Sequence, residues 1–536
     1  MKKVLAMILA LVLCLGLLAG CTGNKGGNEG GKSEGGDAIT ELTLPLTTEK
    51  KELTVWFNYS GSVVADLNEI ESVKKMEELT GVHINWIPIE QQQLSEKLGI
   101  LLTSGEYPDI IYPGSTAYPG GIDKGVSDGV IREDMNELIE KYMPNYMAYL
   151  KSSETARKQA TSDNGKKQVV KVLVGEDFNL KAEGTYQGLA YRKDLLEGLG
   201  IEEPKSVDEW HDALVKAKEN GMDTPFVLHQ NGGSHLSLSW GVETIMDNYL
   251  QLDGDKILGS AIQDGFGEYL ETMRQWYAEG LIDPNFTSFN YYLSTPGSVE
   301  ANQHLLYSFV LSAFTGNNYA AFHMVNNQDE YLQPIVSPAV KAGDKPVQSG
   351  GRVEAKDTIF ISTSCKDPEL AAKWIDFNFT KEGELLNWYG IEGETYEMVD
   401  GKPQFTEKVL NNDTPPSDYL QKYALNWGNS WFGKHNTVAS NKVNTGNNQQ
   451  QDAVDIWSAP EKNIAVPQGI TLTEDETDAI NSKMTAVKTL ISEYVINYII
   501  GTDDTSFEDF KAKVLEYGYQ DVIDTYQKAL DRYNAR

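Results

Sequence analysis

The first 21 residues constrain what this chain can fold into more than any other stretch. Two lysines precede an apolar run over residues 4–18, and two small residues then lead into Cys21. This pattern is typical of a signal peptide: a short basic segment, an apolar segment too short to span a bilayer comfortably, and small residues at the cleavage site. We therefore expect residues 1–20 to be removed on export and the rest of the chain to fold outside the cytoplasm.

The four residues that end this stretch, Leu-Ala-Gly-Cys at 18–21, resemble the lipobox of bacterial lipoproteins. In those proteins the cysteine is diacylated and becomes the new N-terminus. The resemblance implies a lipid anchor, such as palmitate, at Cys21, and hence a protein held on the extracellular face of the cell membrane. An ordinary signal peptide that happens to contain a cysteine is the alternative. Residues 22–38 favour the anchor, because this glycine-rich run has no large apolar side chain and predicts a flexible tether within residues 21–49.

The net charge restricts the classes of partner, and the cysteine content restricts how the fold can be stabilised. The formal net charge of −32 becomes −34 once the two signal lysines are lost, which repels nucleic acid and anionic polymers. We expect a monomer whose partners are neutral or cationic small molecules, or proteins. Beyond the signal and the lipidated position only Cys365 remains, so no intramolecular disulfide can form and stability must come from hydrophobic cores. We interpret Cys365 as a buried residue before a helix rather than a reactive thiol.

Strands and helices alternate along the chain, and 536 residues exceed what one core usually holds, so we expect two or more lobes. Early strands are predicted at 53–57, 82–87 and 108–112, with helices between them that end at Gly81 and Gly105. This pattern predicts a parallel sheet covered by helices, with a ligand crevice at the carboxyl ends of its strands.

Clear start and stop residues mark the later elements. Ser206 and Glu209 form a predicted capping box, and the helix they open precedes a predicted strand at 225–228. Asp367 precedes a proline that opens another predicted helix. Residues 506–536 predict a helical pair broken at Gly518.

Several sequence blocks, in this order, resemble family 1 extracellular solute-binding lipoproteins of ABC importers. The blocks cover nearly the whole mature chain and resemble the long oligosaccharide-binding branch, and more distantly maltose-binding protein; they lie at 96–111, 128–131, 139–145, 191–196, 280–284, 364–372, 389–396 and 531–533.

The resemblance implies an α/β, periplasmic-binding-protein-like fold, in which two α/β lobes joined by hinge segments close over a ligand in the cleft between them. It implies capture of a carbohydrate, in this branch an oligosaccharide, and delivery to the permease subunits of an ABC importer. We place lobe 1 at 50–175 plus about 355–385 and lobe 2 at 176–354 plus about 386–500, with C-terminal helices at 501–536 docking on the body.

Many members of this branch carry an acidic calcium loop after the helix that is predicted here to end at Lys218. In this chain only the short run 219–225 follows, which cannot supply the about six to eight oxygens that calcium needs. We therefore expect no metal, and no cofactor, in this protein.

Sugar rings carry apolar C–H faces and a belt of hydroxyls, so a sugar site needs aromatic planes and hydrogen-bonding side chains. Trp427, Trp431 and Phe432 fit neither helical nor strand periodicity, which favours exposed platforms over core. For the other candidates, a role in turns or interfaces is the alternative. The candidate ligand-binding residues at predicted strand ends and in loops are Asn58, Tyr59, Tyr112, Ser115, Tyr118, His229, Gln230, Asn231, Trp240, Arg352, Glu354, Trp427, Asn429, Trp431 and Phe432.

Two other functional classes stay open, a surface-anchored glycosidase or lyase and an adhesin for cell-wall glycan. The sequence contains no Gly-x-Ser-x-Gly, His-Glu-x-x-His or phosphate-loop motif. Its seven histidines show no metal-ligand spacing beyond the loose pair His229 and His235. We therefore expect a binding protein without catalytic residues.

Overall fold

The computed structural model describes residues 38–115, 118–181, 184–185, 187–245, 248–288, 303–310, 332–341, 343–351, 353–445 and 449–536. The predicted signal peptide, Cys21 and most of the tether lie outside these residues, as does the candidate Arg352. Residues 39–536 form one compact unit.

The strands, in chain order, are β1 (Lys51–Asn58), β2 (Val82–Ile89), β3 (Ile110–Gly114), β4 (Val170–Glu176), β5 (Asn179–Leu180), β6 (Gln187–Arg192), β7 (Leu250–Asp253), β8 (Lys256–Gly259), β9 (Leu306–Val310), β10 (Leu332–Ile335), β11 (Ala355–Ile361), β12 (Tyr396–Val399), β13 (Lys402–Phe405) and β14 (Lys434–Asn436).

The helices are α1 (Glu71–Thr80), α2 (Leu94–Ser104), α3 (Ile122–Ser127), α4 (Met135–Tyr142), α5 (Pro144–Ser152), α6 (Glu154–Ala160), α7 (Lys193–Gly198), α8 (Val207–Glu219), α9 (Asp264–Ala278), α10 (Pro368–Phe377), α11 (Lys381–Trp388), α12 (Glu407–Leu410), α13 (Pro416–Leu420), α14 (Thr437–Thr445), α15 (Gln449–Trp457), α16 (Glu474–Ile499), α17 (Phe507–Glu516) and α18 (Tyr519–Ala535). Short 3₁₀ turns lie at Leu67–Glu69, Gln91–Gln93, His235–Trp240, Ser260–Ile262, Phe286–Ser288 and Leu425–Trp427.

The first sheet has the strand order β14-β4-β11-β3-β1-β2, with β5 paired to β4. Consecutive residues of β1, such as Val55, Trp56 and Phe57, are all buried, because helices cover both faces of the sheet. The prediction of a purely parallel sheet is wrong. Strand β11 runs antiparallel to both of its neighbours, because the chain re-enters this sheet from the opposite end after building the second lobe.

The second lobe is built on a smaller antiparallel sheet of order β10-β6-β9. The strand predicted at 225–228 is reduced to single bridges from Phe226 to Ile282 and Leu306. Phe226 still lies in the second hydrophobic core, together with Trp210 of α8 and Trp276 of α9. Helices α16, α17 and α18 contribute to the same core, for example through Val514 and Leu530.

Local start and stop signals are confirmed at several helix ends. Ser206 and Glu209 form the predicted capping box of α8. Gly81 and Gly105 adopt left-handed backbone conformations at the ends of α1 and α2. Asp367 caps α10 through its side chain. Cys365 is buried, and burial raises the pKa of its thiol to about 12, which fits the structural interpretation.

The lobe boundary needs one correction. The placement of residues 386–500 in lobe 2 is wrong for their first part. Leu386, Leu425 and Phe432 belong to the first core, and β14 extends the first sheet by pairing parallel to β4. A small adjoining cluster, centred on Trp388 and Trp427, joins the hairpin β12–β13 to the same lobe. The prediction failed because the pairing of β14 with β4 is long-range, and no local sequence pattern indicates it.

The two cores also meet through the C-terminal helix. Asp163, which follows α6 of the first lobe, accepts hydrogen bonds from Arg532 Nε at 2.6 Å and Arg536 Nε at 2.9 Å. Arg532 binds Glu476 at the start of α16 as well. These contacts fix the end of α18 against the first lobe.

Within the described part of the chain, no helix is both long and apolar enough to cross a membrane.

Candidate functional site

One edge of the first sheet collects several strand ends. Strands β1 and β3 are parallel, and β4 and β14 are parallel, while β11 is antiparallel to β3 and β4. The carboxyl ends of β1, β3, β4 and β14 therefore lie at the same edge, and β11 begins there. This is the edge at which ligands bind in open α/β sheets.

A bulge in β11 places a carboxylate at this edge. The pairing of β11 with β4 shifts between Lys356 and Ile359, and Asp357 within the bulge has a positive φ of 51°. Asp357 accepts a hydrogen bond from the Tyr112 hydroxyl at 3.1 Å. Burial, together with the negative charge of Asp357, holds the pKa of Tyr112 well above its ordinary value. Tyr112 therefore acts here as a neutral hydrogen-bond donor.

Beside this bulge lies an aromatic and cationic cluster formed by Lys356, Trp431 and His435. The Trp431 ring stacks on His435 with centroids 4.3 Å apart, and the Lys356 amine lies 4.3 Å from the Trp431 ring centre. Lys356 Nζ also lies 3.1 Å from His435 Nδ1. Because an ammonium can only donate, His435 Nδ1 is the acceptor. We call these three residues the Trp431 cluster.

The loop that carries Trp431 is closed by a buried asparagine. Asn426 Oδ1 accepts from the backbone N–H of Phe432 at 2.9 Å, and Asn426 Nδ2 donates to the Phe432 carbonyl at 3.2 Å. These two hydrogen bonds fix the backbone at Phe432. Trp431 is partly buried and packs on the first core and on the Trp388–Trp427 cluster, whereas Phe432 is fully buried in the first core.

The prediction that Trp427 and Phe432 are exposed platforms is wrong. Phe432 is 0% exposed, and its ring packs against Phe57, Tyr112 and Trp374. Trp427 is 8% exposed and donates from its indole N–H to the Trp388 carbonyl at 2.8 Å. Both rings are core because the segment that carries them closes the first lobe. Asn429, between them, is exposed and has a positive φ of 58°.

Three other candidates in the first lobe are buried in structural roles. Asn58 ends β1 and donates to Gln91 at 2.8 Å. The Tyr59 ring lies so close to Gly428 that a Cβ on that glycine would sit 1.9 Å from it, and burial raises the pKa of Tyr59 to about 12. Tyr118 donates to Asp128 at 3.1 Å. Ser115, after β3, is exposed at the sheet edge.

The candidates of the second lobe lie against its own helices. His229 and Asn231 form a compact turn through a 2.8 Å side-chain contact. Gln230 and Asn231 line a cavity of about 370 Å³ with Lys488 and Ser492 of α16. Trp240 packs edge-on against Tyr269.

Glu354 lies just before β11, where its carboxylate accepts from Ser153 and its backbone N–H donates to Gln159 at 2.9 Å. We therefore assign Glu354 to the contact between α6 and β11.

Sequence reasoning missed Lys356, Asp357 and His435. Lys356 and His435 are 79 positions apart and meet only because β4 pairs with β11 on one side and β14 on the other. The local sequence contains no signal for the bulge at Asp357. Within the described residues, no group of three or more His, Cys, Asp or Glu side chains is arranged to hold a metal ion.

Comparison with known proteins places this arrangement in a family. The family described as bacterial extracellular solute-binding protein matches residues 68–385. The chain is 25% identical to the fructooligosaccharide ABC transporter substrate-binding protein FusA of Streptococcus pneumoniae serotype 4 over 520 residues, 92% of each chain. A FusA structure in complex with kestose covers 90% of this chain and 100% of its own, with 22% identity and a TM-score of 0.67.

Two further similarities have lower sequence identity. An HMO binding, ABC-transporter associated solute binding protein from Bifidobacterium longum infantis has a TM-score of 0.73 at 14% identity, covering 90% of this chain and 99% of that one. Lipoprotein LipO of Bacillus subtilis is 21% identical over 362 residues, 64% of this chain and 66% of LipO. The periplasmic-binding-protein-like fold predicted from the sequence is confirmed by these structures. The chain belongs to the bacterial extracellular solute-binding protein family.

Proposed function

We propose that this protein is the lipid-anchored substrate-binding subunit of a carbohydrate ABC importer. The observation that carries the proposal is the partly buried Trp431 ring at the ligand-binding edge of the first sheet, with His435 stacked on it and the Lys356 amine over the ring. An aromatic plane bordered by hydrogen-bonding groups suits a sugar, which offers an apolar C–H face and a belt of hydroxyls. The fructooligosaccharide named for FusA and the kestose in its structure support a carbohydrate ligand.

The proposed mechanism is capture by closure of the two lobes. The chain passes from one lobe to the other between β5 and β6, before β11, and between α14 and α15. Such connections allow a hinge rotation that brings the lobes together over a bound ligand. The closed form would then dock on the permease subunits in the membrane, to which Cys21 would anchor the protein from the extracellular side. LipO, a lipoprotein, supports this anchoring.

The experiment that tests the proposal is a glycan panel that includes kestose, longer fructooligosaccharides and other neutral oligosaccharides. We expect at least one glycan to raise the melting temperature and, at saturation, to reduce the radius of gyration, because a ligand that bridges two lobes stabilises the closed form. Scattering curves that superimpose with and without a tightly bound glycan would exclude closure. Analysis of the recovered glycan separates binding from catalysis, since a glycosidase or lyase would release products.

Anchoring has its own prediction. Replacing Cys21 with serine removes the thiol to which lipid would be attached, so the variant should fold normally and appear in the culture medium. Cell fractionation and immunoblotting measure this directly. A variant that stays in the membrane fraction at the wild-type level would refute lipidation at Cys21.

A further inference from the structure

Strand β14 places one member of the Trp431 cluster, His435, between two buried polar residues. Lys434 and Asn436 are buried, whereas His435 between them is partly buried and stacks on Trp431. Successive side chains of a strand point to opposite faces. A shift of β14 by one residue would therefore bury His435 and carry its two neighbours to the face of Trp431. The Trp431 cluster depends on the register of this strand.

The backbone of β14 alone fixes this register weakly. The strand has only three residues and is terminal in the strand order of the first sheet. Within the described part of the chain it pairs with β4 alone, over the three positions from Lys434 to Asn436. So short a ladder on one side of a strand leaves its placement to side-chain contacts as well.

Glu384 of α11 supplies such contacts on both sides of His435. Its Oε1 atom lies 2.7 Å from Lys434 Nζ and accepts a hydrogen bond from Asn436 Nδ2, also at 2.7 Å. One carboxylate oxygen thus binds the residue before His435 and the residue after it. In the shifted register both donors would leave this oxygen, and a buried carboxylate without them is costly.

A second residue on the same face of α11 contacts the same strand. Trp388 follows Glu384 by one helical turn, and its indole N–H donates to the Lys434 carbonyl at 2.6 Å. The Trp388 ring also lies beside His435, with centroids 5.5 Å apart. Helix α11 therefore holds both the backbone and the buried side chains of β14.

The ion pair between Glu384 and Lys434 is a poor source of stability. Each side chain is 1% exposed. Burial raises the pKa of the Glu384 carboxyl and lowers the pKa of the Lys434 ammonium, although the attraction between them opposes both shifts. Apolar side chains often replace such buried pairs without loss of stability, and the best-attested use of a buried polar group is to fix register. A positional role accounts for this pair better than a stabilising one.

We propose that Glu384 is a positioning residue for the sugar site. Through Lys434 and Asn436 it sets the register of β14, and so holds His435 against the Trp431 ring that receives the sugar. Glu384 is itself too deeply buried to contact a ligand. The proposal rests on the proposed function.

Two charge-balanced double variants test this role in the full-length mature protein. Glu384→Leu with Lys434→Met removes the ion pair and the acceptor for Asn436. Glu384→Gln with Lys434→Met removes the pair but keeps an amide oxygen for Asn436, and the loss of the lysine cancels in the comparison. In calorimetric titrations with kestose, and with each panel glycan that binds the wild type, the leucine variant should bind about tenfold more weakly. The glutamine variant should stay within about threefold of the wild type.

A spectroscopic measurement reads the position of Trp431 without sugar. The ten tryptophans are labelled with 5-fluorotryptophan, and the fluorine resonance of Trp431 is the one that Trp431→Phe removes. We expect this resonance to shift in the leucine variant and to keep its wild-type position in the glutamine variant. Asn436→Ala removes the donor but leaves the ion pair in place. It should shift the resonance as well, and it decides the matter if the leucine variant does not fold.

A double-mutant cycle tests whether Glu384 acts through the Trp431 cluster. In a Trp431→Ala background the leucine variant should lose less than about twofold further affinity, because the ring that it misplaces is already absent. Asp376→Asn is the matched control. Asp376 is another fully buried carboxylate of the first lobe, and it accepts from the Tyr146 N–H at 2.8 Å. This variant should melt earlier, with unchanged affinity and an unchanged Trp431 resonance.

Three results would refute the positioning role while the proposed function stands. They are a wild-type Trp431 resonance in both the leucine variant and Asn436→Ala, an equal affinity loss in the two double variants, and a loss that persists in the Trp431→Ala background. If no glycan of the panel binds the wild type, the proposed function itself fails. The fluorine resonance then still decides whether Glu384 positions the Trp431 cluster.

Discussion

Replacing Phe432 with alanine should lower the free energy of unfolding of the first lobe by about 3–5 kcal/mol, because a fully buried ring is removed and the surrounding core cannot collapse onto the space. Phe432 is 0% exposed and touches three other aromatic rings. We expect the melting temperature of this lobe to fall by about 10 °C in differential scanning calorimetry. Protein that remains folded should bind sugar with unchanged affinity, because the ring does not reach the sheet edge.

A Phe432→Ala protein that melts within about 2 °C of the wild type would contradict this assignment, since a loss that small is typical of a surface side chain. Phe432→Leu is a useful companion, because it retains most of the apolar volume. The leucine variant should lie between the wild type and the alanine variant in stability.

Replacing Trp431 with alanine should have the opposite effect: a large loss of sugar affinity and a small loss of stability. The ring is partly buried at the edge where the strands end, and we expect its accessible part to stack on sugar. We expect affinity to fall about ten- to hundredfold, which corresponds to about 1–3 kcal/mol. The stability loss should be about 1–2 kcal/mol, below that of Phe432→Ala, because the partly buried ring packs on the first core and on the Trp388–Trp427 cluster as well as on His435 and Lys356.

Melting temperature and affinity must be measured on the same Trp431→Ala preparation. The matched control is Phe432→Ala, one position along the same loop, in which the stability loss should be large and the affinity loss small. A Trp431→Ala protein with a large loss of stability and wild-type affinity would refute the platform. Together the two variants separate the two faces of one loop.

This loop also shows where prediction from sequence stops. A polar, glycine-containing segment with three aromatic residues has no periodicity, so nothing in it distinguishes the ring that faces solvent from the ring that enters the core. The distinction depends on contacts made in the folded chain, among them the two hydrogen bonds between Asn426 and the Phe432 backbone and the packing of Phe432 on Phe57 and Trp374. By contrast, the βαβ opening and the capping box at Ser206 were predictable, because each is encoded within a few neighbouring residues.

The candidate site was predictable only in part for the same reason. Trp431 and Tyr112 could be selected by residue type and by their position after predicted strands or in loops. Lys356 and His435 could not, because strand β4 joins their elements across a long sequence separation. Residue type identifies side chains suited to sugars, but only long-range pairing tells which of them meet.

The pairing of β14 with β4 has a consequence for how the chain acquires its structure. Strand β4 ends at Glu176, whereas its outer neighbour begins at Lys434, and the second lobe is encoded between them. The second core in turn requires α18, near the last residue. During synthesis, which starts at the N-terminus, neither lobe can therefore be completed early. The edge of β4 that pairs with β14 stays unpaired until residues 434–436 have been made. Pairing across such a long sequence separation slows folding, and a chain terminated before Lys434 would leave an edge of β4 exposed, which favours aggregation.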